Sequence, residues 1–399
     1  MGVHFSHNDT RTCPVPLGPM NPSTKINVLH LRSSRGKGGG PEKTILFSAK
    51  EIDTTEFNLH IVYLKSPSDK EFDIAERAQQ LQVENFVAID DRSQLDFRAL
   101  KQLLRLLKTH KIDILHCHGY KSNFYGLLLS RFHKMKFITT CHGWVSWRWK
   151  DRLVYHRMDR FFLRFFQRIL IVTETMRNEV VSCGVPNDHV ITICNAIDSD
   201  YFKRDKSDPR IKEDLSIPQD CLVIGAVGRL EKEKDLPTLF EAARIVLKQR
   251  QDLRFVIVGH GSQESHLKRL AADLGLRDHI VFPGHFQDIR RVFSIMDIYV
   301  LSSIKEGLPN TVIEAMAMEV PIVATTIDGV KEAVTDGQEA LLAPQRAPGR
   351  LAEHILRLLQ DDVLRGRLVT SARTRVAEEF SFAKRMRKIE KIYASMMGV

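Results

Sequence analysis

Residues Ser303 to Ala317 read SIKEGLPNTVIEAMA. They follow the apolar run Ile298–Leu301, which has the length of a buried strand. Glu306, Gly307, Leu308, Pro309 and Asn310 cannot continue that strand. Pro309 lacks an N–H and fixes φ, which suits a helix entrance. Asn310 is expected as the N-cap, and Thr311 to Met318 holds strong helix formers. Glu306 therefore falls on a strand-to-helix loop. Glu314 falls one turn into the helix, roughly 6 Å along its axis from Asn310. The helix entrance, with Gly307, Leu308, Asn310 and Thr311, offers free N–H groups and a positive dipole end to a diphosphate. Carboxylates beside it are acceptors for sugar hydroxyls, Glu306 for a transferred sugar and Glu314 for a ribose. The plainer reading is that acidic residues are favoured in any first helical turn.

The same strand–loop–helix unit recurs in both directions. Around it lie the apolar runs Leu222–Val227, Arg254–Val258, Ile280–Phe282 and Pro321–Ala324. Further upstream come Ile26–Leu31, Leu59–Leu64, Phe86–Ile89, Ile112–Leu115, Phe137–Thr140, Ile169–Val172 and Val190–Ile193. Amphipathic segments separate most of them, such as Phe97–Lys108 with Leu100, Leu103, Leu104 and Leu107 on one face. This alternation predicts an α/β protein with two Rossmann-like, doubly wound domains facing a cleft. Their bounds are 25–198 and 221–380. The charged, proline-containing stretch 199–220 is expected to link them. Residues 1–24, with four prolines and little periodicity, are expected to form a disordered arm. Ligands of open parallel sheets bind outside the carboxyl ends of the strands, so the loops there are the place to look for chemistry.

The totals restrict the partners. Of 399 residues, 43% are hydrophobic and 27% charged, ordinary values for a globular protein that can bury two cores. No run of 18 apolar residues and no apolar leader segment occurs, so a cytoplasmic protein is expected. The six cysteines include no C-x-x-C pair, and Cys117, Cys141, Cys194 and Cys221 lie in or beside apolar runs, as buried free thiols do. The net charge of +10 fits an anionic substrate or an anionic lipid surface. No nucleic-acid-binding motif accompanies it, so no nucleic-acid partner is expected.

Several loops after strands carry chemistry. Gly36-Lys37-Gly38-Gly39-Gly40-Pro41-Glu42-Lys43 lets the backbone approach a phosphate or sugar closely. It fails the dinucleotide fingerprint, because Pro41 stands where the last glycine belongs. His116-Cys117-His118 invites a metal reading. Strand alternation opposes it, since the two histidines share a face and Cys117 points away. Thr140-Cys141-His142 ends the next run. Arg229 and Lys234 follow the first strand of the second domain, Arg229 as a bidentate fork and Lys234 as a point charge for a diphosphate.

EGLPNTVIEAMA resembles the E-x7-E signature of retaining, GT-B glycosyltransferases of family 4. The glycine loop resembles that family's GG-x-E loop through Gly39 and Gly40. The end of the 112–119 segment resembles its D-x-x-H-x-H, which places His116 and His118 on the acceptor side. Thr140 to His142 resembles its T-x-H block, and Gly228-Arg229-Leu230 with Lys234 its GRL…K block. Two positions depart from the pattern: Asp235 and Asp328 stand where glycine is common. The resemblance covers about residues 25–399. It implies a last helix, about 381–399, that crosses back to the first domain. It implies a retaining glycosyltransferase with a nucleoside-diphosphate-sugar donor and a glycan or lipid-linked acceptor. Glu306 and His142 would orient the sugar while Arg229 and Lys234 hold the leaving diphosphate, with no cofactor and no metal. A sugar-nucleotide epimerase of the same fold, or a non-catalytic nucleotide-sugar-binding protein, would use the same loops.

Trp144 to Arg168 holds all three tryptophans, with Arg157, Arg160, Arg164 and Arg168 at helical spacing beside Phe161, Phe162, Phe165 and Ile169. A basic, aromatic amphipathic helix can lie on an anionic membrane surface, which would make the protein peripheral to the inner membrane face. A core-packing helix with a solvated basic face is the alternative.

Overall fold

In a computed structural model, residues 25–34, 36, 40–142, 156–199, 201–204, 210–286 and 288–399 are described. The expected arm 1–24, Gly39 and the three tryptophans lie outside these residues. The first sheet comprises β1 (Ile26–Ser33), β2 (Phe57–Lys65), β3 (Phe86–Asp90), β4 (Ile114–Cys117), β5 (Lys136–Cys141), β6 (Arg168–Ile171) and β7 (Val190–Thr192), in the order β3-β2-β1-β4-β5-β6-β7. The second comprises β8 (Leu222–Val227), β9 (Leu253–Val258), β10 (Ile280–Gly284), β11 (Ile298–Leu301), β12 (Ile322–Thr325) and β13 (Leu341–Ala343), in the order β10-β9-β8-β11-β12-β13. All pairings within both sheets are parallel. Each sheet reverses its winding once, between β1 and β4 and between β8 and β11. Those two switch points are where open α/β sheets take ligands.

The cores follow from the two-residue period of the strands. On β1, Leu29 and Leu31 face a cluster with Leu103 and Leu107 of the helix Phe97–Thr109. Val28 faces the opposite cluster, with Ile45 and Leu46 of the helix Gly40–Glu51. That second cluster is completed by the last helix, Phe382–Met397, through Phe382, Met386, Ile389 and Tyr393. Their spacing of three and four residues makes a single apolar stripe. The chain thus leaves the second domain at the Ile197–Ser381 bridge and packs its end against the first.

Within 199–220, the expected link, the helix Arg210–Asp214 forms, and Phe202 and Ile217 are buried in the core around β11 and the helix that follows it. Two local expectations differ from the structure. β13 was not expected from the sequence; its three residues are too few to show a period. The helix in the basic aromatic stretch spans His156–Leu163, whereas Arg168 and Ile169 belong to β6, so the helical spacing does not run through to them. Among the described residues, no helix is long and apolar enough to cross a membrane. Cys117, Cys141, Cys183 and Cys221 are free and buried, and Cys194 is partly buried.

Candidate active site

At the switch point of the second sheet, the loops after β8 and β11 close on one another. Gly228, Arg229, Lys234, Ser302 and Ser303 line a recess there. Lys234 ends a 3-10 turn, Lys232–Lys234, and its chain direction is set by Asp235 in the left-handed region at φ 45°. That conformation explains why glycine is common at this position; here Asp235 is held by a hydrogen bond from Thr238 Oγ1 at 2.6 Å. Lys234 Nζ meets Glu306 Oε1 at 2.6 Å, and Ser303 Oγ donates to the same oxygen at 2.6 Å. The Ser302 hydroxyl donates to the Lys234 carbonyl at 2.8 Å, and the Ile304 N–H to the Glu233 carbonyl at 2.9 Å. The lysine loop and the glutamate loop are therefore stitched together by backbone as well as by charge. Arg229 points outward and donates to Glu233 Oε1 at 2.9 Å.

The loop of Glu306 rests on the start of the helix Asp328–Ala333. A Cβ at Gly329 would stand 1.7 Å from the Gly307 carbonyl oxygen and 3.0 Å from that of Glu306, so only glycine admits this approach. The following helix runs Asn310–Ala317, with Pro309 at the N-cap, so the expected Asn310 cap is displaced by one residue. The Asn310 side chain does not cap the helix: its Oδ1 accepts from Asn195 Nδ2 at 2.8 Å. Leu308 is buried in the second core, and the Thr311 hydroxyl is taken by Tyr299 at 2.7 Å. Leu308 can offer only its backbone to a ligand, whereas the Thr311 hydroxyl, accepting from Tyr299, retains its own proton to donate.

Glu314, one turn into this helix, reaches the first domain, where Lys43 Nζ stands 2.7 Å from its Oε1. Gly40 lies at the same crossing, where an added Cβ would come 2.5 Å from Asn310 Nδ2. Glu332 makes a second crossing, accepting from the backbone N–H groups of Glu174 at 2.7 Å and Thr175 at 3.0 Å.

On the first domain, the His142 backbone faces the Glu306 loop: its carbonyl oxygen lies 3.7 Å from where a Gly307 Cβ would be. Behind it runs a file of histidines. His118 Nδ1 is 3.3 Å from His142 Nε2, and His118 Nε2 is 3.3 Å from His30 Nδ1. His30 Nε2 reaches the Tyr393 hydroxyl at 2.8 Å, and that hydroxyl reaches His116 Nδ1 at 2.6 Å. His116 Nε2 ends on Thr140 Oγ1 at 2.7 Å. His116 is fully buried, so its expected place on the acceptor side is corrected: at this depth it touches the last helix, not a substrate. The cause is register, since His116 is paired with His30 in the sheet and both project under the last helix. His118 is also buried and acts behind His142.

Burial holds all four imidazoles below their ordinary pKa, His30 down to about 3, and the Arg385 cation adds to this at His30, His116 and His142. His30, His116 and His118 bring ligand-capable nitrogens within 4.8 Å of one another. Each of their ring nitrogens already has a hydrogen-bond partner, and a buried guanidinium stands close by. The set fits a hydrogen-bonded file better than a cation.

Several participants were not singled out from sequence. Arg32 donates to Glu42 Oε1 at 2.5 Å and to the His118 carbonyl at 3.1 Å, bracing the loop that carries Gly40. Lys43 lay within the quoted glycine-rich stretch, next to Glu42, and could have been found there. Asn195 and Tyr393 carry no local signal, because their roles come from contacts more than 100 residues away.

Residues 38–201 match the family described as Glycosyltransferase Family 4, and residues 207–375 the family described as Glycosyl transferases group 1. A UDP-Gal:alpha-D-GlcNAc-diphosphoundecaprenol alpha-1,3-galactosyltransferase of Escherichia coli is 26% identical over 76% of this chain and 80% of its own. The amylovoran biosynthesis glycosyltransferase AmsK of Erwinia amylovora is 28% identical over 69% of this chain and 68% of its own. Among solved structures, Anabaena HepE in complex with UDP-glucose superposes with a TM-score of 0.79 at 18% identity, covering 93% of this chain and all of that one. Its likeness bears on the fold, which is GT-B. With both domains matched in order, the chain belongs to the family 4, group 1 glycosyltransferases.

Proposed function

We propose that this glycosyltransferase takes a sugar from a nucleoside-diphosphate-sugar and attaches it, with retention of configuration, to an acceptor hydroxyl in polysaccharide or glycolipid synthesis. The observation that carries the reading is the 2.6 Å pair between Lys234 and Glu306 at the mouth of the recess, opposite His142. The pair brings a cation suited to a diphosphate and a carboxylate suited to the sugar it bears to one place. Donor binding would exchange partners: Lys234 and Arg229 turn to the phosphates, and Glu306 to sugar hydroxyls. Fixed positive groups then stabilise the charge that develops on the leaving diphosphate. A phosphate oxygen of the leaving group can take the acceptor proton, so no separate base is required. The E. coli relative's name, with a UDP-sugar donor and a lipid-diphosphate acceptor, supports both substrate classes, and HepE crystallised with UDP and glucose supports the donor class alone.

A peripheral membrane location is part of the proposal. Met158, Phe161 and Phe165 are exposed together, whereas Leu163 is buried and Phe162 stacks on Phe124. The arginines contribute less than expected, since Arg160 pairs with Glu179 and Arg164 donates to the Cys183 carbonyl. Salt-sensitive sedimentation with anionic but not neutral vesicles is the expected result, weakened in Phe161→Ser/Phe165→Ser.

The donor reading is tested by melting the protein with UDP, GDP, ADP and their sugars, then reading the anomeric coupling of the product by NMR. One nucleotide series should stabilise the protein, and that stabilisation should vanish in Lys234→Ala. An inverted product, or no stabilisation by any nucleotide, would overturn it.

A further inference from the structure

We propose that Tyr393, on the last helix, is a positioning residue for His142, fixing its ring tautomer through His30 and His118. The inference rests on reading His142 as a donor-sugar contact, but its physical content is a matter of proton accounting. Thr140, His116, Tyr393, His30, His118 and His142 form one unbranched file with five successive contacts of 2.6–3.3 Å. A neutral imidazole carries one N–H and one acceptor nitrogen, so each ring in the file must donate at one end and accept at the other. Choosing the direction at any one contact therefore fixes all of them.

Two directions are possible. In the first, His142 donates from Nε2 to His118, His118 to His30, His30 to Tyr393, Tyr393 to His116, and His116 to Thr140. The Thr140 hydroxyl proton then has no acceptor among the described residues, although Thr140 is 1% exposed. A buried donor without a partner is costly. In the second, Thr140 donates to His116 Nε2, His116 donates from Nδ1 to Tyr393, and Tyr393 donates to His30 Nε2. His30 then donates from Nδ1 to His118, and His118 from Nδ1 to His142 Nε2. Every donor in the file is satisfied. His142 is left with Nδ1–H as the one ring group not committed within the file, a donor suited to a sugar or phosphate oxygen. All four histidines then share the Nδ1–H form.

Tyr393 comes from the last helix, whereas the other members lie on β1, β4 and β5 or directly after β4 and β5. It is held there by the apolar stripe of the last helix, with Met386 and Ile389 buried beside it. Its hydroxyl is the junction at which the fixed end, Thr140 and His116, imposes direction on the end that reaches His142. Without it, His30 Nε2 loses the donor that faces it, and the end that reaches His142 is no longer tied to the direction set at Thr140 and His116.

The test is long-range proton–nitrogen NMR on full-length protein labelled with ¹⁵N-histidine, without donor, with His142 assigned by loss of its signals in His142→Gln. Wild type should show Nδ1–H at His30, His116, His118 and His142 alike. Tyr393→Phe should leave His116 in a defined form and convert His142 to a mixture of tautomers. In turnover, the same variant should lose about tenfold or more in kcat with donor KM within about twofold, the scale reached when a group that fixes a histidine's tautomer is removed. An Nε2–H form at any file member in wild type, which needs no variant to fold, would overturn the proposal. So would an unchanged His142 in folded Tyr393→Phe. If the NMR pattern holds but turnover is unaffected, the tautomer lock is real and the role given to His142 in transfer is what fails.

Discussion

Lys43 and Glu314 form an ion pair of 2.7 Å across the cleft, between residues 271 positions apart in the chain. Glu314 is buried at this contact, whereas Lys43 keeps partial exposure. The pair couples the glycine-rich loop of the first domain to the helix that carries the second motif glutamate. Any ribose hydroxyl that engages Glu314 must do so with Lys43 beside it. Removing the lysine leaves a buried carboxylate without its partner, a cost of about 1–3 kcal/mol. We expect Lys43→Ala to melt several degrees lower than wild type. A double-mutant cycle with Glu314→Gln should return a coupling of about 0.5–3 kcal/mol, as for directly paired residues. Additive effects would show the pair to be idle.

Lys234 and Glu306 should behave differently, because on the proposed mechanism their pairing at the recess is exchanged during turnover. Lys234→Ala or Glu306→Ala is expected to lower kcat by about 100-fold or more, the scale of a lost transition-state contact. Circular dichroism and melting should stay close to wild type, since Ser302 and Ile304 keep the two loops joined through the Lys234 and Glu233 carbonyls. Near-normal turnover in both variants would remove these residues from the site.

Gly329 offers a test of the loop rather than of its charge. Its added methyl would press on the Gly307 carbonyl at 1.7 Å, where the contact is backbone and cannot swing away. Gly329→Ala should shift the Glu306 loop and cost about 1–3 kcal/mol, as overpacking does. The expected signature is a fall in kcat together with a lower melting temperature. A fully active, unshifted Gly329→Ala enzyme would show that the loop has freedom to move that the packing denies it.

These residues also mark how far the sequence could be read. The strand–loop–helix around Glu306, the alternation of apolar runs and the span Phe382–Met397 were legible because each rests on local period and turn chemistry. The meeting of Lys234 with Glu306 follows from the rule that parallel sheets gather their loops at the carboxyl ends. What was not legible was which partner each side chain takes. Glu314 sits one turn along the helix as expected, yet its pairing with Lys43 of the other domain has no trace in the local sequence. His116 reads as a strand-end residue, yet its register with His30 buries it beneath Tyr393, a residue 277 positions away. Such contacts exist only after two domains and a returning helix are assembled, and no window of sequence contains them.

The histidine file makes stability sensitive to mild acid, and the sign can be worked out. Burial lowers the folded-state pKa of His30, His116, His118 and His142 below the ordinary value of 6.5, to about 3 for His30. Below pH 6.5 the unfolded chain therefore binds protons that the folded chain refuses. Unfolding is favoured by every such proton, so the stability these groups permit is complete above pH 6.5 and declines as pH falls toward their folded values. Each histidine contributes a slope of up to about 1.4 kcal/mol per pH unit in that window. Partly exposed carboxylates such as Asp53 and Glu264, whose pKa values are lowered by hydrogen bonds, lose their contributions only at lower pH, so the decline between pH 6.5 and 5 belongs mainly to histidines. Urea midpoints measured from pH 7.5 to 5.0 should stay level to about 6.5 and then fall steeply. In His116→Gln, which removes one buried imidazole, the fall should be shallower by about one proton's slope. A midpoint that is flat down to pH 5 would mean that the file accepts protons while folded, and the neutral-ring description of the site would have to be abandoned.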